Sequence, residues 1–594
     1  MSNLDLGVIG NGAYSALIDR KARVVWACFP RLDGDPVFCS LLDPVGANAE
    51  RGIFEIELLD FSHSEQRYLP NTAILVTVLH DKNGGAVEIT DFAPRFKQFE
   101  RLYRPLLLVR YVRPKAGDPR IRVRLRPTFG YGASRPEITR GSNHIRYVGD
   151  GQTMRLTTDA PPVYIIDELP FVAERPFTLM LGPDESLTSS IDRTSKDFFQ
   201  STHDYWREWT RYLSIPFEWQ DEVIRAAITL KLCSFEETGA IVAALTTSIP
   251  EAKDSGRNWD YRFCWLRDAF FVVHALNRLG ATKTMEQFIY YITDVIASAA
   301  DGNLQPVYGI AAEARIPEKK IESLAGYRGM GPVRVGNQAF EQIQNDSYGA
   351  VILAITQIFF DRRLERAGST ELFERLERLG AKAVDLYDKP DAGLWELRRT
   401  QQVHTFSSMM CWAACDRLAK IATRLCQEAK ASHWRTAADR IRKEIWDKAW
   451  NARRRTFVDS FGGEDLDAAL LLMNQLGFTT ADDPRFLGTI EAIGKSLKRG
   501  LYVFRYANDD FGEPENAFNI CTFWYIDALA AIGRGEEARA MFENMLAHRN
   551  HLGLLSEHLA PETGELWGNF PQTYSMVGLI SSAMRLSRNW EEAF

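Results

Sequence analysis

The apolar residues of this 594-residue chain change their spacing once, near residue 218, and that change limits the architectures open to it. Before it, short segments alternate apolar and polar residues, the period of a half-buried strand. Ile53–Leu58, Ala73–His80, Ala86–Phe92, Leu106–Val112, Ile121–Pro127, Thr153–Thr158 and Val163–Leu169 read this way. Asp81–Gly85 (DKNGG) is a hairpin turn between two of them. Many short strands at this spacing predict an antiparallel β-sandwich over residues 1–190. After residue 218 the period is 3.6. Helices are expected at 219–237, 265–280, 284–299, 346–361, 371–386, 406–424, 430–450, 464–473, 486–498, 518–533, 535–548 and 573–587. Taken in pairs, they predict a toroid of six inner and six outer helices over 218–594. The fold class expected is thus multidomain, β followed by all-α. Residues 191–217 form a helical linker, too rich in aromatics and charges for a loose tether, so the sandwich should pack against the toroid. The long loops at 250–264, 300–345, 388–405, 499–517 and 550–572 should meet at one end of it, and such loops carry function.

Several function classes drop out. Net charge is −7 and no lysine-rich run is present, which argues against a nucleic-acid partner. The eight cysteines form no CxxC pair, so a zinc site is not expected and reduced, buried thiols are. His404 and His558 have no further His or Cys at ligand spacing, so no metal is expected on them. Gly7–Gly12 (GVIGNG) has the glycines of a phosphate loop, but the following AYSALID continues as a strand instead of opening a helix. There is no Walker loop and no Gly-x-Ser-x-Gly elbow. No cofactor is expected. Neither a leader-like start nor an apolar run of ~18 residues occurs, so no membrane partner is expected and the location should be cytoplasmic.

What remains points to sugar chemistry. Glu396 follows Trp395 in Asp391–Trp412 (DAGLWELRRTQQVHTFSSMMCW). Aromatic walls suit flat sugar rings, and an apolar wall raises a carboxyl pKa, as a general acid near neutral pH requires. A second carboxylate, Glu557, lies far downstream in GLLSEHLAPETGELWGNFPQTYS, with Trp567, Phe570 and Tyr574. Ser255–Ala269 packs Trp259, Asp260, Tyr261, Arg262, Trp265, Arg267 and Asp268 into ten positions. An adjacent Arg-Asp pair offers a fork donor and an acceptor to neighbouring hydroxyls, or ties a salt-bridge knot at a helix start. Tyr308 and the amides Gln305, Asn337, Gln342, Gln344 and Asn345 occupy the second long loop, as hydroxyl ligands or as caps. Arg505 and Tyr506 open the fourth.

The segments GRNWDYRFCWLRDA, YRGMGPVRVGNQAFEQIQNDSYG, GLWELR, FSSMMCWAACDRL, FGEPENAFNICTFW and GLLSEHLAPETGELWGNFPQTYS resemble glycoside hydrolase family 15, the family of glucoamylases, glucodextranases and certain microbial trehalases. The amino-terminal part resembles it too, in ALIDRKARVVWACFPRLDGDPVFCSLLD and RYLPNTAILVTVLHDKNGGAVEITDFAPR. The resemblance implies an inverting α-glucosidic hydrolase with an N-terminal β-sandwich and an (α/α)6 barrel, acting on a small carbohydrate. It assigns Glu396 as general acid and Glu557 as general base. It places Arg267, Asp268 and Arg505 on the non-reducing-end glucose. The aromatic residues Trp259, Tyr261, Tyr308, Trp395, Tyr506 and Trp567 of the long loops are expected as further substrate contacts. Two positions depart from the family pattern: Ala350 where bacterial members carry Glu, and His558 where a second acid often follows the base.

The main expectation is an exo-acting enzyme releasing glucose from small α-glucans or oligosaccharides. Hydrolysis of α,α-trehalose is the alternative. An inverting phosphorylase or a non-catalytic sugar-binding protein are further readings; the matching base motif at Glu557 argues against the first, and the retention of both acids against the second.

Overall fold

The computed structural model describes residues 3–43, 51–299, 301–509 and 512–592. Parts of two of the expected long loops, residue 300 and residues 510–511, lie outside the described residues.

The N-terminal region forms two antiparallel sheets. One runs in the order Leu6–Gly10, Ser15–Asp19, Val24–Phe29, Ile53–Leu58, Arg120–Arg126, Phe171–Val172, with Asp35–Phe38 added to Val24–Phe29. The other runs Glu137–Arg140, His144–Gly149, Gln152–Thr158, Phe177–Pro183, Leu108–Ala116, Ala86–Phe92, Leu75–Asp81, Phe61–Tyr68. Alternation supplies the layer between them, where Phe54, Ile56, Leu79, Ile89, Val112, Val123 and Leu156 are buried together. At the DKNGG turn, Asp81 Oδ1 accepts from the backbone N–H of Asn83 and of Gly85, both at 2.7 Å. One expected strand is not there. Val163–Leu169 begins instead as a helical turn, α1 (Pro162–Ile166). Proline at the first helical position presets its φ, and the missing N–H costs nothing there.

Helix α2 (Ile191–Arg211) opens on Ser190, whose hydroxyl accepts from Arg193 N–H. Its Phe199 meets Phe92 of the second sheet edge-on at 5.9 Å. The linker is therefore largely a helix laid on the sandwich.

The C-terminal region is an (α/α)6 barrel. Its inner ring is α4 (Leu266–Arg278), α6 (Asp346–Phe360), α8 (Thr405–Arg424), a 3-10 turn at Ala468–Leu472 leading into α10 (Met473–Leu476), α12 (Asn519–Ala531) and α14 (Thr573–Leu586), which packs back on α4. Around it lie α3 (Gln220–Leu232), α5 (Thr282–Ser298), α7 (Thr370–Leu386), α9 (Glu428–Ala449), α11 (Pro484–Ser496) and α13 (Gly535–Ala547), each against its inner partner. The inner helices are apolar almost all round, as enclosed helices must be. The expected helix at 464–473 is mostly the 3-10 turn. Asp467 Oδ1 holds Ala469 N–H at 2.7 Å, and Gly477, at φ +81°, stops the chain four residues into α10.

One core runs through both regions. Leu4, Leu6, Val8, Leu17 and Trp26 of the sandwich are buried with the barrel's residues. Trp26 Nε1 donates to Leu245 O at 2.8 Å, and Arg95 makes a buried fork with Glu236 at 2.7 and 2.8 Å. Among the described residues no helix is long and apolar enough to cross a membrane.

Candidate active site

The long loops converge on one pocket at an end of the barrel, with a cavity volume of about 80 Å³. Glu396 and Glu557 both line it, as do Trp259, Tyr261, Arg267, Asp268, Trp395, Arg505 and Tyr506.

Glu396 is presented by a loop tied off at its base. Asp391 N–H donates to Gln402 O at 2.9 Å and Ala392 N–H to Ile343 O at 2.9 Å. Asp391 Oδ2 accepts from Ser407 Oγ and from Asn345 N–H, at 2.7 and 2.8 Å. Within the loop Gly393 sits at φ +66° with a Cβ position only 2.7 Å from the His404 ring, so no side chain fits there. Three residues on, Glu396 itself is left-handed at φ 60°. A non-glycine residue in that region stores strain, which the surroundings must hold. They do: Trp265 Nε1 donates to Glu396 Oε1 at 2.6 Å, with Arg267 Nη2 and Gln344 Nε2 each at 3.5 Å. The indole bonded to this carboxylate is therefore Trp265 and not its neighbour Trp395. Trp395 donates instead to Asp467 Oδ2 at 2.9 Å and packs on Tyr506, Phe518 and Trp524.

Glu557 immediately precedes a short ladder in which Phe518, His558 and Trp567 pair across three strands. Its side chain is almost wholly buried, and Oε1 has no hydrogen-bond partner among the described residues. Gly568, at φ +75°, brings its backbone so close that an added Cβ would sit 2.7 Å from Glu557 Cβ. His558 Nδ1 lies 3.5 Å from Glu557 Oε2, and its Nε2 lies 3.7 Å from Glu251 Oε2. The imidazole is stacked on Phe518, centroids 4.9 Å apart.

Two aromatic rings line the pocket together with the carboxylates. Tyr261 and Trp265 meet edge-on at 5.3 Å. Burial, then the charges of Glu557, Glu251 and Glu396, push the Tyr261 phenol well above the ordinary tyrosine range. Arg267 lines the pocket beside Asp268, Nε to Oδ1 3.6 Å, and donates to Gln344 Oε1 at 3.1 Å. Burial raises the Asp268 carboxyl to about 7 against the pull of Arg267, with Glu396 and Asp346 adding to the rise.

The WDYR segment serves two purposes at once. Asp260 and Arg262 form a fully buried pair, and Arg262 donates to Gly34 O at 2.7 Å, tying the loop to the sandwich. Trp259 and Tyr261, the alternate residues, face the pocket. Of the amides, Asn337 and Gln342 reach the pocket. Gln305 and Asn345 are spent on backbone carbonyls.

Two expected contacts lie elsewhere. Tyr308 pairs with Cys264 in the barrel wall, and its hydroxyl accepts from Gln305 N–H at 3.0 Å. Trp567 packs on Tyr327 and under Arg328 and is absent from the pocket lining. Ala350 is fully buried in α6 and away from the pocket lining, so that departure is a core substitution. The residue that the sequence reading missed is Glu251. It accepts from Trp259 Nε1 at 3.1 Å and from Arg505 Nη2. Burial alone would raise its carboxyl, but Arg505, His558 and Arg257 outweigh that and hold it at about 2. Glu251, Glu557 and His558 have the atoms for a metal within 4.8 Å of one another. Two guanidiniums already balance Glu251, so the cluster reads as an ion-pair network.

Comparison with known proteins bears on this arrangement. The model for glycosyl hydrolases family 15 matches residues 219–584, and a trehalase-like N-terminal model matches 4–166. The chain belongs to glycoside hydrolase family 15. As a family 15 enzyme it is a glycoside hydrolase. It is 33% identical to a trehalase of Thermoplasma volcanium, over 98% of this chain and 93% of that one. It is 33% identical to a trehalase of Thermoplasma acidophilum, over 97% and 98%, and 30% identical to one of Mycobacterium tuberculosis, over 99% and 90%. In fold it matches a bacterial glucoamylase complexed with acarbose, at TM-score 0.69 and 14% identity, over 98% of this chain and 93% of that one.

Proposed function

We propose that this family 15 enzyme is an inverting trehalase, with Glu396 as general acid and Glu557 as general base. The carrying observation is that the two carboxylates line one small pocket from separate loops, together with the Tyr261–Trp265 pair. The trehalose reading replaces small α-glucans as the first choice. The relatives named trehalase match over nearly the whole chain, N-terminal region included.

In the proposed reaction Glu396 gives its proton to the glycosidic oxygen as the C1–O bond breaks and that oxygen keeps the bonding pair. Water attacks C1 from the opposite face and passes its proton to Glu557. Inversion needs carboxyl groups roughly 6.5–9.5 Å apart to admit that water. Arg267 and Asp268 in the lining would bind ring hydroxyls, whose hydrogen bonds tighten as the oxocarbenium develops.

The test is product analysis. Proton NMR early in the hydrolysis of α,α-trehalose should show α- and β-glucose in equal amounts, because only the attacked ring inverts. α-Glucose alone would refute inversion. Faster glucose release from maltose, isomaltose or longer glucans than from trehalose would refute the substrate assignment.

A further inference from the structure

A second set of chemically capable side chains lies on the sandwich, far from the catalytic loops in sequence. The strand Phe61–Tyr68 is the edge of the eight-stranded sheet and pairs with Leu75–Asp81. A bulge between Phe61 and His63 shifts the register so that His63 falls opposite His80, and bulges re-aim side chains in this way. Glu65 is two residues from His63 and so leaves the strand on the same face. The two imidazoles stack at 4.5 Å with planes 4° apart. Glu65 Oε1 is 3.9 Å from His80 Nε2, and one donor atom from each residue lies within 4.8 Å of the others.

We infer that His63, Glu65 and His80 form a surface site for one divalent transition metal of the zinc, nickel and copper class. Two imidazoles and one carboxylate are the donor set such ions select. A tetrahedral ion with bonds near 2.0–2.2 Å needs its donors roughly 3.5 Å apart. Side-chain rotation covers the difference, because the two strands are already fixed by the ladder. His63 Nδ1 lies 3.3 Å from Ser62 Oγ, which orients the ring and leaves Nε2 for the ion, as outer partners of metal-binding imidazoles do. His80 Nε2 has no hydrogen-bond partner among the described residues. His63 and Glu65 are exposed, so an ion has a path in and the remaining position is open to water. The ion would clamp the edge strand to its neighbour, and its effect is on the sandwich and not on sugar hydrolysis. The spacing of His63 and His80 along the chain hides the site. Only the register brings them together.

The experiment is titration of the full, untagged chain with zinc chloride by calorimetry, alongside thermal unfolding and glucose release. The wild type should bind one equivalent, with a raised Tm, and bind more weakly from about pH 7.5 to about pH 5.5 as the imidazoles protonate. H63Q and H80Q should each weaken binding roughly tenfold or more, and the double variant should abolish it, with hydrolysis unchanged. Absence of a saturable equivalent up to millimolar zinc overturns the proposal. So does binding that survives in the double variant. If that surviving ion also inhibits hydrolysis, it sits on Glu251, Glu557 and His558 instead.

Discussion

The two sides of the pocket are built to opposite rules. Glu396 hangs from a strained loop with its side chain 22% exposed, and its carboxylate meets neutral or distant donors. Glu557 abuts a strand ladder, 1% exposed, beside His558 and the ion pairs of Glu251. The carboxyls beneath the first are raised chiefly by burial, Asp268 and Asp391 to about 7 and Asp346 to about 6. The carboxyl beside the second, Glu251, is held at about 2 by cations. The neighbouring carboxyls of the two sides thus differ in the protons they hold.

The largest effects should come from the two carboxylates themselves, and their leaving-group dependence should separate the sides. E557Q should lower kcat/KM by roughly 10²–10⁴-fold on trehalose and on α-glucosyl fluoride alike, because both need activated water. E396Q should cost as much on trehalose but less than about tenfold on the fluoride, which leaves with little help from an acid. Equal losses on the two substrates in E396Q would reverse or void the assignment.

Next come the residues that act through each carboxylate. W265F removes the 2.6 Å donor from Glu396. A hydrogen bond to a charged group contributes about 1.5–3 kcal/mol, so a loss of roughly 10–100-fold on trehalose is expected, with the fluoride largely spared. H558N should be smaller, about tenfold, and fall on both substrates through kcat, since His558 links Glu557 to Glu251. If H558N spared the fluoride, His558 would belong to the wrong side.

Much of this was legible beforehand, for identifiable reasons. Helix ends fell within a few residues because an inner helix such as α6 repeats its apolar residues without interruption. The seven residues first expected at the pocket that reach it beside the two carboxylates sit in motifs dense with aromatic and charged groups. Tyr308 and Trp567 went astray because each occupies a two-residue strand, where one position decides which side the ring leaves. Glu251 gave no local signal at all. Its partner Arg505 is 254 residues away, and only the closed barrel joins them.

The smallest effect tests the electrostatic half of the contrast. Asp391 anchors the Glu396 loop, and its folded pKa of about 7 exceeds the ~3.9 of an unfolded aspartate. The folded chain therefore binds the extra proton between those values. Stability from this group is fully present below about pH 4 and is lost as pH rises through 7. D391N abolishes the titration but keeps an oxygen for Asn345 N–H and Ser407 Oγ. The Tm of D391N minus that of the wild type should therefore rise by a few degrees between about pH 5 and about pH 8, whatever its value at the start. Glu251 has the reverse sign, since its folded pKa lies below that of an unfolded glutamate, and its contribution is lost only as pH falls toward 2. The two windows do not overlap, so the measurement above pH 5 reads the Glu396 side alone. A difference that stayed flat or fell with pH would mean that Asp391 is ionised in the fold, and that the two sides do not differ in the protons they hold.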